Sequence, residues 1–303
     1  MALKFIIHTV IAVVLIIGSA ASVAQPLPKD CPLIAKTQAV EGGTIHYLQG
    51  GVGQAVLLLH GLFAQKEQWI EVGCLLTKQG LLVIAPDLPG YGASRPFAQS
   101  VYHLERQVEV LQRFMQLLQI NRFHVGGSSM GGAIAALYAK HNPNQVKTLA
   151  FIGAPLGIEA WSPRIQEALK RGVNPFIPQT NQEFDLEMQL LFAKPPLIDL
   201  AIKQSLIQSY AADRAHYQMV WSMVDQYTQV LEPMRFSHPT FAMWGQQDGV
   251  FLVKGASALQ KRMTRGKVRI DPNSAHLLML EDPQGVSQEY GLFIGRQGQN
   301  QPQ

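Results

Sequence analysis

Short, unbroken apolar runs separated by longer amphipathic stretches organise most of this chain. Residues 34–40 and 44–48 flank Gly42-Gly43 and read as a hairpin. Residues 55–59 and 81–85 are continuous apolar strands, and residues 66–78 between them form a helix pattern. The second strand runs into Asp87-Leu-Pro-Gly-Tyr-Gly92, and residues 101–118 are amphipathic with a helical period. A further β-prone run begins at Phe123, a helix follows through residues 133–140, and residues 146–152 form another strand. The alternation then stops. From Pro155 to about Phe236 the pattern is helical and interrupted by Pro163, Pro175, Pro178, Pro195 and Pro196, as expected of an inserted helical unit. It resumes with a strand at 240–244, a helix from about 251 to 263, a strand at 268–270 and a helix after Pro283, before a polar tail from Gly298. Buried strands alternating with helices predict an α/β domain whose mostly parallel sheet is covered on both faces. That assigns 33–154 and 237–296 to one core and 155–236 to an insertion.

Composition narrows the function classes. Of 303 residues, 47% are apolar and 15% charged, which describes a well-cored globular protein. The formal charge of +4 comes without any run of five or more Lys or Arg, so nucleic-acid binding has no sequence support. Residues 1–24 stand apart: Lys4 is followed by the apolar core Val10 to Ile17 and by Ser22-Val-Ala24. This pattern favours an export signal with a small-residue cleavage site over an uncleaved anchor, because His8 and Thr9 shorten the apolar core. A periplasmic or secreted protein is the expectation, and a membrane-anchored one the alternative. Cys31 and Cys74 are the only cysteines; they either bridge the N-terminal segment to the first helix or stay as two thiols. No Cys/His spacing suggests zinc, and no cofactor or metal is called for.

The chemistry is concentrated at Gly127-Ser-Ser-Met-Gly131, between a strand and a helix. Small residues two positions either side of Ser129 permit a turn that forces the serine into a strained backbone conformation, projecting its Oγ above the sheet. Ser128 lacks this frame, because Met130 stands where its second glycine would be. A serine nucleophile needs a base, and the base needs an orienting acid. Of nine histidines, His276 is placed best, in a loop past a late strand; His60 precedes the serine and starts a turn, so it reads as structural. Asp248, at the end of Phe241-Ala-Met-Trp-Gly-Gln-Gln-Asp248, fits the acid, with Asp271 as runner-up in a position suited to capping a turn. The amide of Met130, next after the serine, and the amide of Leu62, in the loop after the first parallel strand, are the expected oxyanion donors.

These residues, together with His60-Gly61-Leu62, Asp87-Leu-Pro-Gly-Tyr-Gly-Ala-Ser94 and Trp244-Gly-Gln-Gln-Asp248, resemble the α/β-hydrolase superfamily across nearly the whole chain after residue 24. Two segments resemble the branch holding bacterial cold-adapted lipases and animal membrane-associated monoacylglycerol lipases: His60-Gly-Leu-Phe-Ala-Gln-Lys-Glu-Gln-Trp69, and Asn174-Pro-Phe-Ile-Pro-Gln-Thr-Asn-Gln-Glu-Phe-Asp185 leading to Phe192-Ala-Lys-Pro-Pro196. The resemblance implies an α/β-hydrolase fold with 155–236 as a helical cap, and a serine hydrolase acting on carboxylic esters, with acylglycerols or other lipid esters as the partner molecules. Ala275 departs from the glycine frequent before the histidine in this family. The apolar stretch Leu186 to Ile198, including Leu191, Phe192 and Leu197, is then an expected acyl-chain tunnel or a lid in contact with a membrane or lipid surface, or simply the packing face of the cap. Carbon–carbon hydrolase, thioesterase and perhydrolase chemistry share the fold, as would a weakly catalytic binding protein.

Overall fold

The computed structural model describes residues 27–299; the export-signal reading of residues 1–24 lies outside them. Eight strands form one sheet in the order β1-β2-β4-β3-β5-β6-β7-β8. The hairpin β1 (Ile34–Val40) and β2 (Gly43–Gly50) is antiparallel, and β2 joins β4 (Leu81–Pro86) antiparallel. From there β4, β3 (Gln54–Leu59), β5 (Phe123–Gly127), β6 (Val146–Ile152), β7 (Phe236–Gly245) and β8 (Met263–Asp271) pair in parallel. The inner strands are buried along nearly their whole length, as their mainly apolar sequences require of a sheet covered by helices. Helix α1 (Ile70–Thr77) packs on the C-terminal helix α10 (Pro283–Gln299), while α2 (Leu104–Leu117) packs on α3 (Met130–His141).

Between β6 and β7, in the proline-punctuated stretch, lie α4 (Pro163–Lys170), α5 (Asn181–Leu191), α6 (Leu200–Ala212) and α7 (Arg214–Val224). Helix α5 starts where Thr180 accepts the Glu183 amide at 3.2 Å, and Glu183 accepts the Gln179 amide in return at 2.6 Å. Such reciprocal capping satisfies amides that a helix start leaves without partners. The remaining helices are α8 (Gly255–Arg262) and the short α9 (Leu278–Glu281).

Three helices start later than their patterns suggested. Residues 66–69 and 99–102 are 3-10 turns that precede α1 and α2, and His103 between the latter two is extended, with φ −68° and ψ 133°. The helix expected from residue 251 begins at Gly255, because the Val250 and Phe251 amides are taken by the Asp248 carboxylate. Strand β8 is longer than its apolar triplet suggested; it is the sheet edge and exposes Arg265, Lys267 and Arg269, charges suited to an unpaired edge. Cys31 and Cys74 form a disulfide, which resolves the two alternatives in favour of a bridge onto α1.

Candidate active site

The site assembles at the carboxyl ends of the parallel strands. Leu59 at the end of β3 is paired with Gly127 at the end of β5, so the loop His60-Gly-Leu-Phe63 and the turn at Ser129 emerge side by side. Ser129 has φ 53° and ψ −118°, a conformation that non-glycine residues rarely hold. Its neighbours explain how it is held there. A Cβ at Gly131 would lie 2.2 Å from the Leu59 carbonyl oxygen, and one at Gly127 would lie 2.3 Å from the Gly131 carbonyl carbon. Neither position has room for a side chain, as the Gly-x-Ser-x-Gly spacing suggested. The turn is pinned further by the Ser128 amide donating to Leu59 O at 3.1 Å and the Leu156 amide to Ser129 O at 3.1 Å. Met130 is the first residue of α3, and the amides of a helix's first turn have no acceptor within the helix.

Asp248 and His276 approach from two loops. Asp248 is buried, and its Oδ1 accepts the Val250 and Phe251 amides at 2.8 and 2.9 Å. Its Oδ2 accepts from Nδ1 of His276 at 2.9 Å, which leaves Nε2 of a neutral imidazole as the proton acceptor. The insertion ties both loops down: Gly249 N donates to Leu190 O and Leu277 N to Leu191 O, each at 3.1 Å. Glu281, which the sequence reading did not single out, adds a further clasp. Its carboxylate accepts the Ala275 amide at 2.7 Å on one oxygen and the Ala193 amide at 2.9 Å on the other. It thus joins the histidine loop to the second residue past α5, and burial raises its pKa.

Ser129 and His276 line a common cavity of about 560 Å³, counting the part open to solvent, together with Leu62 and Leu191. Trp161, Phe176 and Val250 give it an aromatic and apolar wall, with Trp161 stacked on Phe251 at 4.8 Å and on Trp221 at 5.2 Å. Two expected contacts fall elsewhere. Phe192 is buried but does not line the cavity, because α5 ends at Leu191 and the chain turns extended there. Leu197 is 83% exposed, beyond the prolines that carry the chain outward. Gly61 lies beside the serine: a Cβ there would meet Ser129 Cβ at an ordinary 3.5 Å, so space does not by itself demand glycine.

The rival titratable groups are occupied structurally. His60 donates from Nδ1 to Gly61 O at 2.8 Å and accepts the Leu88 amide on Nε2 at 2.9 Å; burial lowers its pKa to about 4, so it is neutral. Asp87 accepts the Lys66 amide and ammonium and the Ala93 amide, bracing the loop that leads to it. Asp271 accepts the Ser274 hydroxyl and the Asn273 amide, the turn-capping role its position suggested. Glu187 and Tyr210, both buried, also line the cavity. The signal for Glu187 is present in the sequence, since it falls between Phe184 and Leu191 on one helical stripe. Among the described residues, no group of His, Cys, Asp and Glu is arranged to hold a metal ion.

The sequence profile of the alpha/beta hydrolase fold family matches residues 54–283. This chain belongs to the α/β-hydrolase fold family. Within it, the chain is 27% identical to monoacylglycerol lipase ABHD6 of Bos taurus, over 76% of this chain and 72% of that protein. It is 26% identical to lipase 1 of Psychrobacter immobilis, over 83% and 81% respectively. A crystal structure of a membrane phospholipase A, a bacterial virulence factor, superposes with a TM-score of 0.80 at 32% identity, covering 89% of this chain and 88% of that one.

Proposed function

We propose that this α/β hydrolase cleaves carboxylic esters of lipids through an acyl-enzyme formed on Ser129. In this reading His276, oriented by Asp248, takes the Ser129 proton as Oγ attacks the ester carbonyl, and the Leu62 and Met130 amides stabilise the oxyanion. His276 returns the proton to the departing alcohol, then activates the water that releases the acid. The observation that carries the reading is the hydrogen bond from the His276 imidazole to a carboxylate already saturated by backbone amides, in a cavity shared with a serine held at positive φ.

Ester rather than another bond is supported by the relatives, which are lipases and a phospholipase, and by the cavity wall. Trp161, Phe176, Leu191 and Val250 suit an acyl chain, whereas no Lys or Arg lines the cavity to grip a free carboxylate of the kind a carbon–carbon hydrolase substrate carries. Residues 155–236 act as the cap, because α5 supplies both Leu191 and the backbone acceptors that hold the Asp248 and His276 loops. Export to an oxidising compartment is supported by the apolar run before Ser22 and by the Cys31–Cys74 bridge. Among the described residues no helix is long and apolar enough to cross a membrane.

The test is Ser129→Ala, assayed on esters of graded acyl length beside labelling by a fluorophosphonate. Loss of both turnover and labelling is expected; stoichiometric labelling that persists in the variant overturns the assignment.

A further inference from the structure

The cavity holds a buried carboxyl that ester cleavage itself leaves unused. Glu187 is 3% exposed, on the side of α5 that faces the cavity one turn before Leu191. Its Oε1 accepts the Tyr210 hydroxyl at 3.3 Å, and its Oε2 is buried without a hydrogen-bond partner. An unsatisfied buried carboxyl oxygen is costly, of the order of 1–3 kcal/mol, so its persistence in a lined cavity points to a ligand atom that completes it. Of the other polar lining side chains, Gln68 is already spent, its oxygen accepting the Gly61 amide at 3.1 Å and its nitrogen meeting Met279 Sδ at 3.3 Å, while Ser128 Oγ, also buried without a partner, belongs to the serine turn itself and not to α5.

We infer that Glu187 and Tyr210 form a hydrogen-bonding subsite for an uncharged hydroxyl on the alcohol portion of the ester, so that the enzyme selects partial glycerides over simple alkyl esters of the same acyl chain. The inference rests on the ester-hydrolase reading and specifies what that reading leaves open. Its chemistry follows from the charge state. Burial raises the Glu187 pKa to about 8, no Lys or Arg lines the cavity, and the carboxyl is therefore largely protonated at pH 7. A protonated carboxyl donates one hydrogen bond and accepts others, which matches a hydroxyl that does the same. A phosphate would find no cation here, and an alkyl group would leave Oε2 as unsatisfied as before. The acyl chain has the apolar lining of Trp161, Phe176 and Val250. Glu187 is in this account a specificity residue, and Tyr210 positions it.

The experiment measures kcat/KM at pH 7 for a 1-monoacylglycerol and for the methyl ester of the same fatty acid, in the full chain and its variants. The quantity read is the ratio of the two. Relative to wild type, Glu187→Leu is expected to lower the ratio about tenfold to a hundredfold, the value of a buried hydrogen bond to the substrate. Glu187→Gln, neutral and able to donate and accept, keeps it within about threefold. Tyr210→Phe lowers it by an intermediate factor, and these two milder variants carry the test if the leucine variant does not fold. An unchanged ratio in all three variants, with methyl-ester turnover still abolished by Ser129→Ala, overturns the subsite and leaves the hydrolase reading standing. A fall in Glu187→Gln as large as in Glu187→Leu also overturns it, because the site would then be reading charge. Turnover of neither ester by the wild-type chain overturns the hydrolase reading and the subsite together.

Discussion

Replacing Glu187 by Gln is expected to stabilise this protein at neutral pH and to leave it unaffected in mild acid. The carboxyl is fully buried and titrates at about 8 in the folded chain, against 4.5 for an exposed glutamate. Between those values the folded state holds a proton that the unfolded state has released, so raising the pH draws the equilibrium toward unfolding. The contribution of Glu187 is thus fully present below pH 4.5 and is lost as pH climbs through 8. At pH 7 the gap in play is 2.5 units, from 4.5 to 7, which at 1.36 kcal/mol per unit is about 3 kcal/mol of lost stability. Glutamine fills the same volume, can accept the Tyr210 hydroxyl in place of Oε1, and has no proton to lose. The variant should therefore gain about 3 kcal/mol over wild type on going from pH 4.5 to 7, and roughly another 1 kcal/mol by pH 8. Urea denaturation of both proteins at pH 5, 6, 7 and 8 reads this directly, with equal m-values as the control for a two-state comparison. A stability difference that stays flat across that range would refute the reasoning, since it would mean that Glu187 ionises alike in the folded and unfolded chains.

Other perturbations address the frame around the serine. Asp248→Asn keeps an acceptor for the Val250 and Phe251 amides but turns an amide N–H toward His276 Nδ1, favouring the wrong tautomer; kcat on a soluble ester should fall about 10⁴-fold while the fold, read by circular dichroism, is retained. Gly131→Ala sets a methyl group 2.2 Å from the Leu59 carbonyl oxygen, so chemical denaturation should show a loss of about 3 kcal/mol or more, or no folded protein. Removing the disulfide by Cys74→Ser with Cys31→Ser frees a 43-residue separation in the unfolded chain, and thermal melts should report a loss of roughly 4 kcal/mol.

Much of this architecture is written in the chain's periodicity. Strand β3 is buried on both faces and its sequence is a nearly continuous apolar run; β5 and β6 keep that character except at His124, Lys147 and Thr148. The glycines at 127 and 131 were legible for the same reason: a strand, a turn that excludes side chains and a helix leave no other local solution. Element starts were less legible where a side chain from elsewhere in the loop takes a helix's amides, as Asp248 does at Val250 and Phe251. Phe192 and Leu197 were misplaced because apolar character alone does not say which way a chain turns after its helix ends.

By itself the sequence determined the order of strands and helices, the strained serine turn and the loops that carry Asp248 and His276, because each is a local consequence of period, glycine placement and strand ends. Only the tertiary structure decided that Cys31 reaches Cys74, that Glu281 clasps the histidine loop to the segment after α5, and that Glu187 is enclosed with Tyr210 in the cavity that Ser129 and His276 line. Those are distances between segments far apart in the chain, and a carboxyl's burial depends on what the fold packs over it.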